Sequence, residues 1–328
     1  MAAMTRVLIT GATGFVGHAL VPYLTARGHI VRIAVRNPDA APAAAETVRI
    51  DDIGPDTAWQ TALSGVDLVV HLAARVHVMR ETASDPLATF RRVNVEGTRR
   101  LAVAAAAAGI RRFLFMSSIK ALADEAADQI ITDASPPQPS SPYGVSKLEA
   151  ERALADIAGG MEWTVLRPPL VYGPGVGGNF RRLLALVDSG VPLPLGRLQN
   201  RRSMVAVGNL VSAVELCLRH PGAARRSFLI QDGPPLTTPD LVRKLAHALD
   251  VPCRLLPVPP GLLASAAAIV RQRPLFDRLA GSLVLDDSDL RTRLGWQPPY
   301  DIQESLNKAA AWFCSVPRKP VLQRRPAS

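Results

Sequence analysis

The sequence predicts an α/β fold, a doubly wound parallel sheet carrying a smaller C-terminal lobe. Three observations predict it. Arg6-Val7-Leu8-Ile9-Thr10 is a short aliphatic run that breaks into Gly11, Gly14 and Gly17, three apart. Apolar residues then resume at helical spacing through Leu20, Val21 and Leu24, so the order is strand, tight turn, helix. Strands and helices go on alternating as far as Pro169, and loops and helices take over beyond it.

The first turn is the Rossmann-type geometry that binds a dinucleotide pyrophosphate. Gly11 lets the chain turn, Gly14 lets the backbone approach the phosphates, and Gly17 lets the helix lie close to the strand. Unpaired N–H groups at the helix start, and the helix dipole, favour the anion. Gly11, Thr13, Gly14, Phe15, Val16 and Gly17 are the expected cofactor contacts.

The second strand, Ile30 to Val35, ends on Arg36. An NAD site of this kind places an acidic residue at that end to meet the ribose; here Val35 stands there and a guanidinium follows. Arg36 can grip a 2′-phosphate bidentately, so NADP is the expected cofactor, with NAD possible. Val48 to Ile53 reads as a third strand ending in Asp51-Asp52, where Asp52 accepts from the adenine amino group or caps a helix over Pro55 to Leu63. Asp67 to Leu72 is the fourth strand, running into Ala73-Ala74, whose small side chains leave room for a cofactor. His71, alone in an apolar strand, reads as structural. A helical stretch from Asp85 to Ala108 contains Asn94, an amide that needs a partner when buried.

Arg112 to Met116 is the fifth strand and ends on Ser117-Ser118. A proline-rich loop leads to Ser141-Pro142-Tyr143-Gly144-Val145-Ser146-Lys147, which opens a helix through Ala158. Trp163 to Leu166 is a strand closed by Arg167-Pro168-Pro169. Beyond it, Asn179 to Ser189 is helical, Pro192 to Arg202 extended, and Met204 to Val207 and Phe228 to Ile230 are strands, the latter returning to the sheet. Thr238 caps a helix that has Pro239 in its first turn and reaches Leu249. Residues 1–170, with 203–232 returning, form the dinucleotide-binding domain; 171–202 and 233–315 form the substrate-binding lobe; 316–328 is a flexible tail.

Composition narrows the class. The net charge of +10 comes mostly from arginines spread singly, without a nucleic-acid recognition motif, so no nucleic-acid partner is expected. Three scattered cysteines point to a reducing, cytoplasmic setting and to no structural metal. Met1 runs into a strand within six residues, which leaves no room for a signal peptide. Leu101 to Ile110 and Gly261 to Val270 are apolar but too short to span a bilayer. The stretch 261–273, with Arg271 and Arg273 at its end, reads as a lid or core helix, or as a weak membrane-surface contact.

The chemistry sits on one helix face. Tyr143 and Lys147 are four apart. A carbonyl reduction needs an acid beside the carbonyl oxygen, and an ammionium next to a phenol lowers its pKa. Ser118 supplies a hydroxyl to hold that oxygen.

With those residues in place, the chain resembles an extended short-chain dehydrogenase/reductase, the family of NAD(P)-dependent sugar-nucleotide epimerases, dehydratases and 4-ketoreductases. The resemblance runs from the glycine turn to Leu294-Gly295-Trp296. It implies Ser118, Tyr143 and Lys147 as catalytic groups, with cofactor contacts at Asp52, Ile53, Leu72, Ala73, Ala74, Asn94, Tyr143, Lys147 and Pro169. It implies a UDP-sugar substrate met by Ser118, Ile119, Lys120, Tyr143, Asn179, Arg202 and Arg278, and a homodimer. The chain departs from the family pattern at Ile119-Lys120 and at Ser203, where an acid is usual. A 4,6-dehydratase carries Asp-Glu where Ile119-Lys120 stands, which sets that activity aside. Phe115 to Lys120, Arg167 to Gly175 and Asn179-Phe180 are similar to a bacterial polysaccharide-pathway branch. The expected reaction is reduction of the C4 ketone of a UDP-linked 4-keto-6-deoxy-2-acetamido sugar to UDP-N-acetylquinovosamine, with Tyr143 as proton donor. The alternative is an NAD-dependent UDP-sugar 4-epimerase.

Overall fold

A computed structural model describes residues 5–41, 45–76, 85–124, 129–157, 159–269 and 280–316. Its centre is a seven-stranded, wholly parallel sheet. The strands are β1 (Arg6–Thr10), β2 (Ile30–Val35), β3 (Glu46–Arg49), β4 (Leu68–His71), β5 (Arg112–Met116), β7 (Glu162–Arg167) and β10 (Arg226–Leu229). They lie in the order β3-β2-β1-β4-β5-β7-β10, so the chain winds outward from β1 in both directions. All carboxyl ends therefore share one edge.

Alternation along each strand feeds two cores. Val7 and Ile9 point to the face covered by α1 (Phe15–Thr25) and α7 (Val207–Arg219), where Leu20, Leu24, Leu210 and Val214 are buried. Leu8 points to the other face, with Phe113, Phe115 and Val165, under α4 (Gly97–Ala107) and α5 (Pro142–Ile157).

Two elements differ from the sequence reading. The third strand is Glu46–Arg49, not Val48 to Ile53, and the helix after it is the single turn α2 (Gln60–Leu63), not Pro55 to Leu63. Thr57 is the cause. Its hydroxyl donates to the Asp52 carbonyl at 2.8 Å and accepts the Gly54 N–H at 2.9 Å, which holds 52–57 as a turn that neither strand nor helix can enter.

The segment 203–232 divides. Arg226–Leu229 joins the main sheet as its edge strand, whereas β9 (Met204–Ala206) pairs in parallel with β8 (Leu170–Tyr172) in a separate two-stranded sheet. A second small sheet joins β6 (Ile130–Ile131) to β11 (Val284–Leu285). Around β8 and β9, helices α6 (Gly178–Asp188), α8 (Thr238–Ala248) and Ile302–Ser315 enclose Tyr172, Phe180, Leu184, Leu245 and Leu306. The cap of α8 is Thr237 and not Thr238: its hydroxyl accepts the Asp240 N–H at 3.1 Å. The stretch from Gly261 forms helix α9 (Pro260–Ile269), with Leu262 64 % exposed; Arg271, Arg273 and the tail from 317 lie outside the described residues. No helix of the described residues is long and apolar enough to cross a membrane.

Asp232, just past β10, holds the lobe to the sheet. Its carboxylate accepts the Tyr172 hydroxyl at 2.7 Å, the Ala206 N–H at 2.8 Å and the Asn209 amide at 2.7 Å. Asn209 in turn pairs with the backbone of Tyr300 in both directions. Asp232→Ala orphans three buried donors, and leaving a buried polar group unsatisfied costs about 1–3 kcal/mol. Urea denaturation should show the unfolding free energy of that variant lowered by about 3 kcal/mol or more, while Arg243→Ala, which removes an exposed pair with Asp240, changes it by less than about 1 kcal/mol. Equal midpoints for the two variants would contradict this account of how the lobe is attached.

Candidate active site

The turn after β1 is a cradle that side chains would fill. Gly11 has φ +72°, and a Cβ there would lie 2.7 Å from the Ala73 nitrogen, so this turn and the exit of β4 abut. A Cβ at Gly17 would lie 2.5 Å from Ala12, which is how closely α1 lies on the turn. Gly14 is the N-cap of α1, and no side chain caps the helix. Thr13 and Gly14 are exposed, and Phe15, Val16, Leu72, Ala73 and Ala74 are half-buried at the same edge. An uncapped helix start behind side-chain-free backbone fits a dinucleotide pyrophosphate.

At the end of β2 the structure joins two residues that the sequence reading assigned separately. The Arg36 guanidinium pairs with the Asp52 carboxylate at 2.9 Å, both highly exposed. Asp52 does not cap α2; its carbonyl takes the Thr57 hydroxyl. Ile53 is half-buried, and Pro169 is buried beyond β7.

Tyr143 and Lys147 enter from the first turns of α5. Asp124 sets the helix start: its carboxylate accepts the N–H and hydroxyl groups of both Ser140 and Ser141, at 2.6–2.9 Å. Burial pushes Asp124 up, but those bonds outweigh it and hold the carboxyl at about 2. Lys120 pairs with the same carboxylate at 3.3 Å.

Lys147 is 1 % exposed; its Nζ donates to the Met116 carbonyl at 2.6 Å and lies 4.0 Å from the centre of the Phe115 ring. Burial pulls it down to about 7, opposed by the Glu151 charge. The Tyr143 ring meets Phe90 edge-on, 6.1 Å between centres. Burial pushes its phenol up to about 12, and a hydrogen bond with the Ser118 hydroxyl pulls it back. The phenol is thus raised where the sequence reading expected it lowered, because burial outweighs the lowering influences on it.

Behind these groups, His71 Nδ1 meets Thr10 Oγ1 at 2.6 Å and Nε2 meets Thr98 Oγ1 at 3.0 Å. Burial, then the Lys147 charge, hold it at about 3, so it is a neutral ring bridging β1 and α4. Asn94 lies in a π-helical stretch, Arg91–Glu96, and its amide donates to Ser146 Oγ at 2.9 Å and to the Arg75 carbonyl at 3.1 Å. Its Oδ1 accepts the Arg75 N–H at 2.8 Å. It therefore ties the cofactor edge after β4 to α5, and π-turns recur where side chains are re-aimed at sites.

The substrate-side residues are less gathered. Ile119 does not face the site: it is 2 % exposed, packed with Leu122, Ile131, Leu229 and Leu285, because the turn that begins at Ser118 throws its apolar side chain inward. Asn179 is exposed on the first turn of α6. Arg202 is half-buried and its Nε donates to the Gly281 carbonyl at 2.7 Å; Arg278 lies outside the described residues. A cavity of about 520 Å³ is lined by Phe15, Gly173, Gly175, Val207, Tyr300 and Trp312, and by none of the trio. The sequence reading missed Asp124, Glu151 and Ser117. The spacing of Glu151, four residues after Lys147, was the available signal.

The chain is similar to known proteins over most of its length. The model of the NAD dependent epimerase/dehydratase family matches residues 7–230. A UDP-glucose 4-epimerase of Vibrio cholerae is 40 % identical over 315 residues, covering 94 % of this chain and 95 % of that protein. An N-acetyl-α-D-glucosaminyl-diphospho-ditrans,octacis-undecaprenol 4-epimerase of Escherichia coli O157:H7 is 30 % identical over 79 % of this chain and 77 % of its own. A solved Thermus thermophilus UDP-glucose 4-epimerase complex with NAD superposes with a TM-score of 0.74 at 25 % identity, covering 95 % of this chain and 99 % of that one.

Burial of Lys147 has a measurable consequence. Its proton leaves the folded protein near pH 7 and an unfolded chain near the ordinary 10.5. Between those values the unfolded state holds the extra proton, so stability rises with pH across that window. Urea denaturation from pH 6.5 to 10 should show this rise in the wild type and a flatter profile in Lys147→Met. Parallel profiles would contradict the burial.

Proposed function

The chain belongs to the NAD dependent epimerase/dehydratase family, and on that footing we propose that it is a 4-epimerase of a UDP-linked hexose. The observation that carries the reading is the Ser118–Tyr143 hydrogen bond beside buried Lys147, at the same sheet edge as the glycine cradle. Such a group serves an alcohol/ketone couple. The end-to-end likeness to the Vibrio cholerae UDP-glucose 4-epimerase supports epimerisation over net reduction.

NAD, when bound, supplies the hydride acceptor and donor for C4. The glycine turn and the start of α1 hold its pyrophosphate, and Arg36 with Asp52 stands at the adenosine end. Ser118 orients the sugar's O4. Tyr143 moves the proton on that oxygen: as phenol it gives one to a ketone, and as phenolate it takes one from an alcohol. The Lys147 ammonium, while charged, stabilises the phenolate. Arg202 and Asn179, from the lobe, are the groups for the UDP diphosphate. The surface for a homodimer is the outer side of α4 and α5, where Val103 is exposed.

One observation favours a second reading, NADPH-dependent reduction of a 4-keto UDP-sugar to UDP-N-acetylquinovosamine or a relative. Val35 stands where an acid would meet the ribose of NAD. The Arg36–Asp52 pair is exposed, and such pairs are worth only about 0–1 kcal/mol, so a 2′-phosphate can open it.

The deciding experiment offers the purified protein UDP-glucose and UDP-N-acetylglucosamine without added reductant, and separately a 4-keto UDP-sugar with NADPH. A galacto product by NMR with no net change in cofactor is the expected result. Stoichiometric loss of NADPH with no epimer formed would hand the chain to the reductase reading. Tyr143→Phe should lower turnover about 100-fold or more while NAD binding stays within a few-fold, since the variant keeps the ring and loses the proton. Unchanged turnover would remove Tyr143 from the chemistry.

A further inference from the structure

A buried charged pair behind the proposed catalytic groups has no part in the reaction so far. Glu151 lies one turn beyond Lys147 on α5, and Arg167 ends β7; both are buried. Arg167 Nη2 donates to Glu151 Oε2 at 2.6 Å, and its Nε lies 3.1 Å and 3.2 Å from the two carboxylate oxygens. Oε1 also accepts the Ser117 hydroxyl. One carboxylate thus joins a helix to the ends of two strands. Burying such a pair carries a desolvation cost that apolar packing avoids, so stability alone is a weak reason for it.

Its position gives a better reason. Ser118 is tied on both flanks to the end of β7: the Ser117 N–H donates to the Leu166 carbonyl at 2.8 Å, and the Ile119 N–H to the Pro168 carbonyl at 3.0 Å. Arg167 lies between those two acceptors in sequence, and Glu151 anchors it. The charged and titratable surroundings of Lys147 are few. His71 faces it from β4, and Tyr143 and Glu151 stand one turn away on α5. Arg167 reaches it through Glu151, whereas Lys120 pairs with Asp124 and Arg91 with Glu149. Glu151 is the anion among the groups acting on Lys147.

We propose that Glu151 is a positioning residue, which binds Ser117 and Arg167 together so that Ser118 is fixed against α5, and which holds a negative charge one turn from the Lys147 ammonium. The proposal rests on the reading of Ser118, Tyr143 and Lys147 as the C4 machinery.

The chain has only five lysines, Lys120, Lys147, Lys244, Lys308 and Lys319, so NMR of isotope-labelled lysine resolves each titration, with Lys147→Met assigning its own signal. Glu151→Gln should lower the Lys147 midpoint by about one pH unit, and the alkaline limb of kcat should move with it. Glu151→Asp, which keeps the charge, should bring the midpoint back toward wild type. An unchanged midpoint in folded Glu151→Gln would overturn the proposal, whatever the activity. Full turnover in Tyr143→Phe would instead overturn the C4 reading and leave the lysine titrations as they are. Should Glu151→Gln not fold, Ser117→Ala decides: a kcat about 10-fold or more below wild type at unchanged KM supports the positioning role, and a wild-type kcat refutes it.

Discussion

A lysine ammonium buried against the Met116 carbonyl is the constraint on which the active-site half of the molecule depends. A buried cation is tolerated only where hydrogen bonds, an opposing charge or an aromatic face replace water. Lys147 has one of each: Met116, Glu151 and the Phe115 ring. These partners come from two elements. Met116 and Phe115 end the strand that leads to Ser118, and Glu151 continues the helix that carries Tyr143. Satisfying the cation therefore brings the strand end and the helix face together. Burial, and then that same charge, keep His71 neutral.

The parallel sheet makes this arrangement possible at one edge. Because every strand of it runs the same way, the glycine turn after β1, the small residues after β4, Ser118 after β5 and Pro169 after β7 line a single rim. Cores on both faces flank the strands, and the Asp232 carboxylate joins the lobe to the rim through β8, β9 and α7. The two ends of that rim differ in kind. Arg36 and Asp52 form an exposed pair, whereas Lys147 is buried and held by a backbone carbonyl.

What was legible in the sequence follows the range of the interactions. The strand-turn-helix at Gly11 to Gly17 and the four-residue spacing of Tyr143 and Lys147 are local, so period and spacing reveal them. The third strand was misplaced because Thr57 diverts its own neighbours' backbone groups, a choice that hydrophobic pattern does not encode. Ile119 read as a pocket residue from its place after Ser118, yet the turn there buries it. Asp124 and Glu151 were missed for another reason: each has a lysine four residues away, but the groups they bind most closely lie 16 or more residues away, and an isolated acid in a sequence looks like surface. The direction of the phenol's shift was not legible either, since it is set by burial, which the spacing of Tyr143 and Lys147 does not encode.

In the proposed reaction Ser118, Tyr143 and Lys147 handle only the proton on O4, while the hydrogen on C4 travels as hydride. A UDP-hexose carrying deuterium at C4, incubated in ordinary water and followed by NMR, tests it most directly. The account predicts a C4-inverted product that keeps its deuterium at C4; washout of that deuterium into solvent during epimerisation would contradict it.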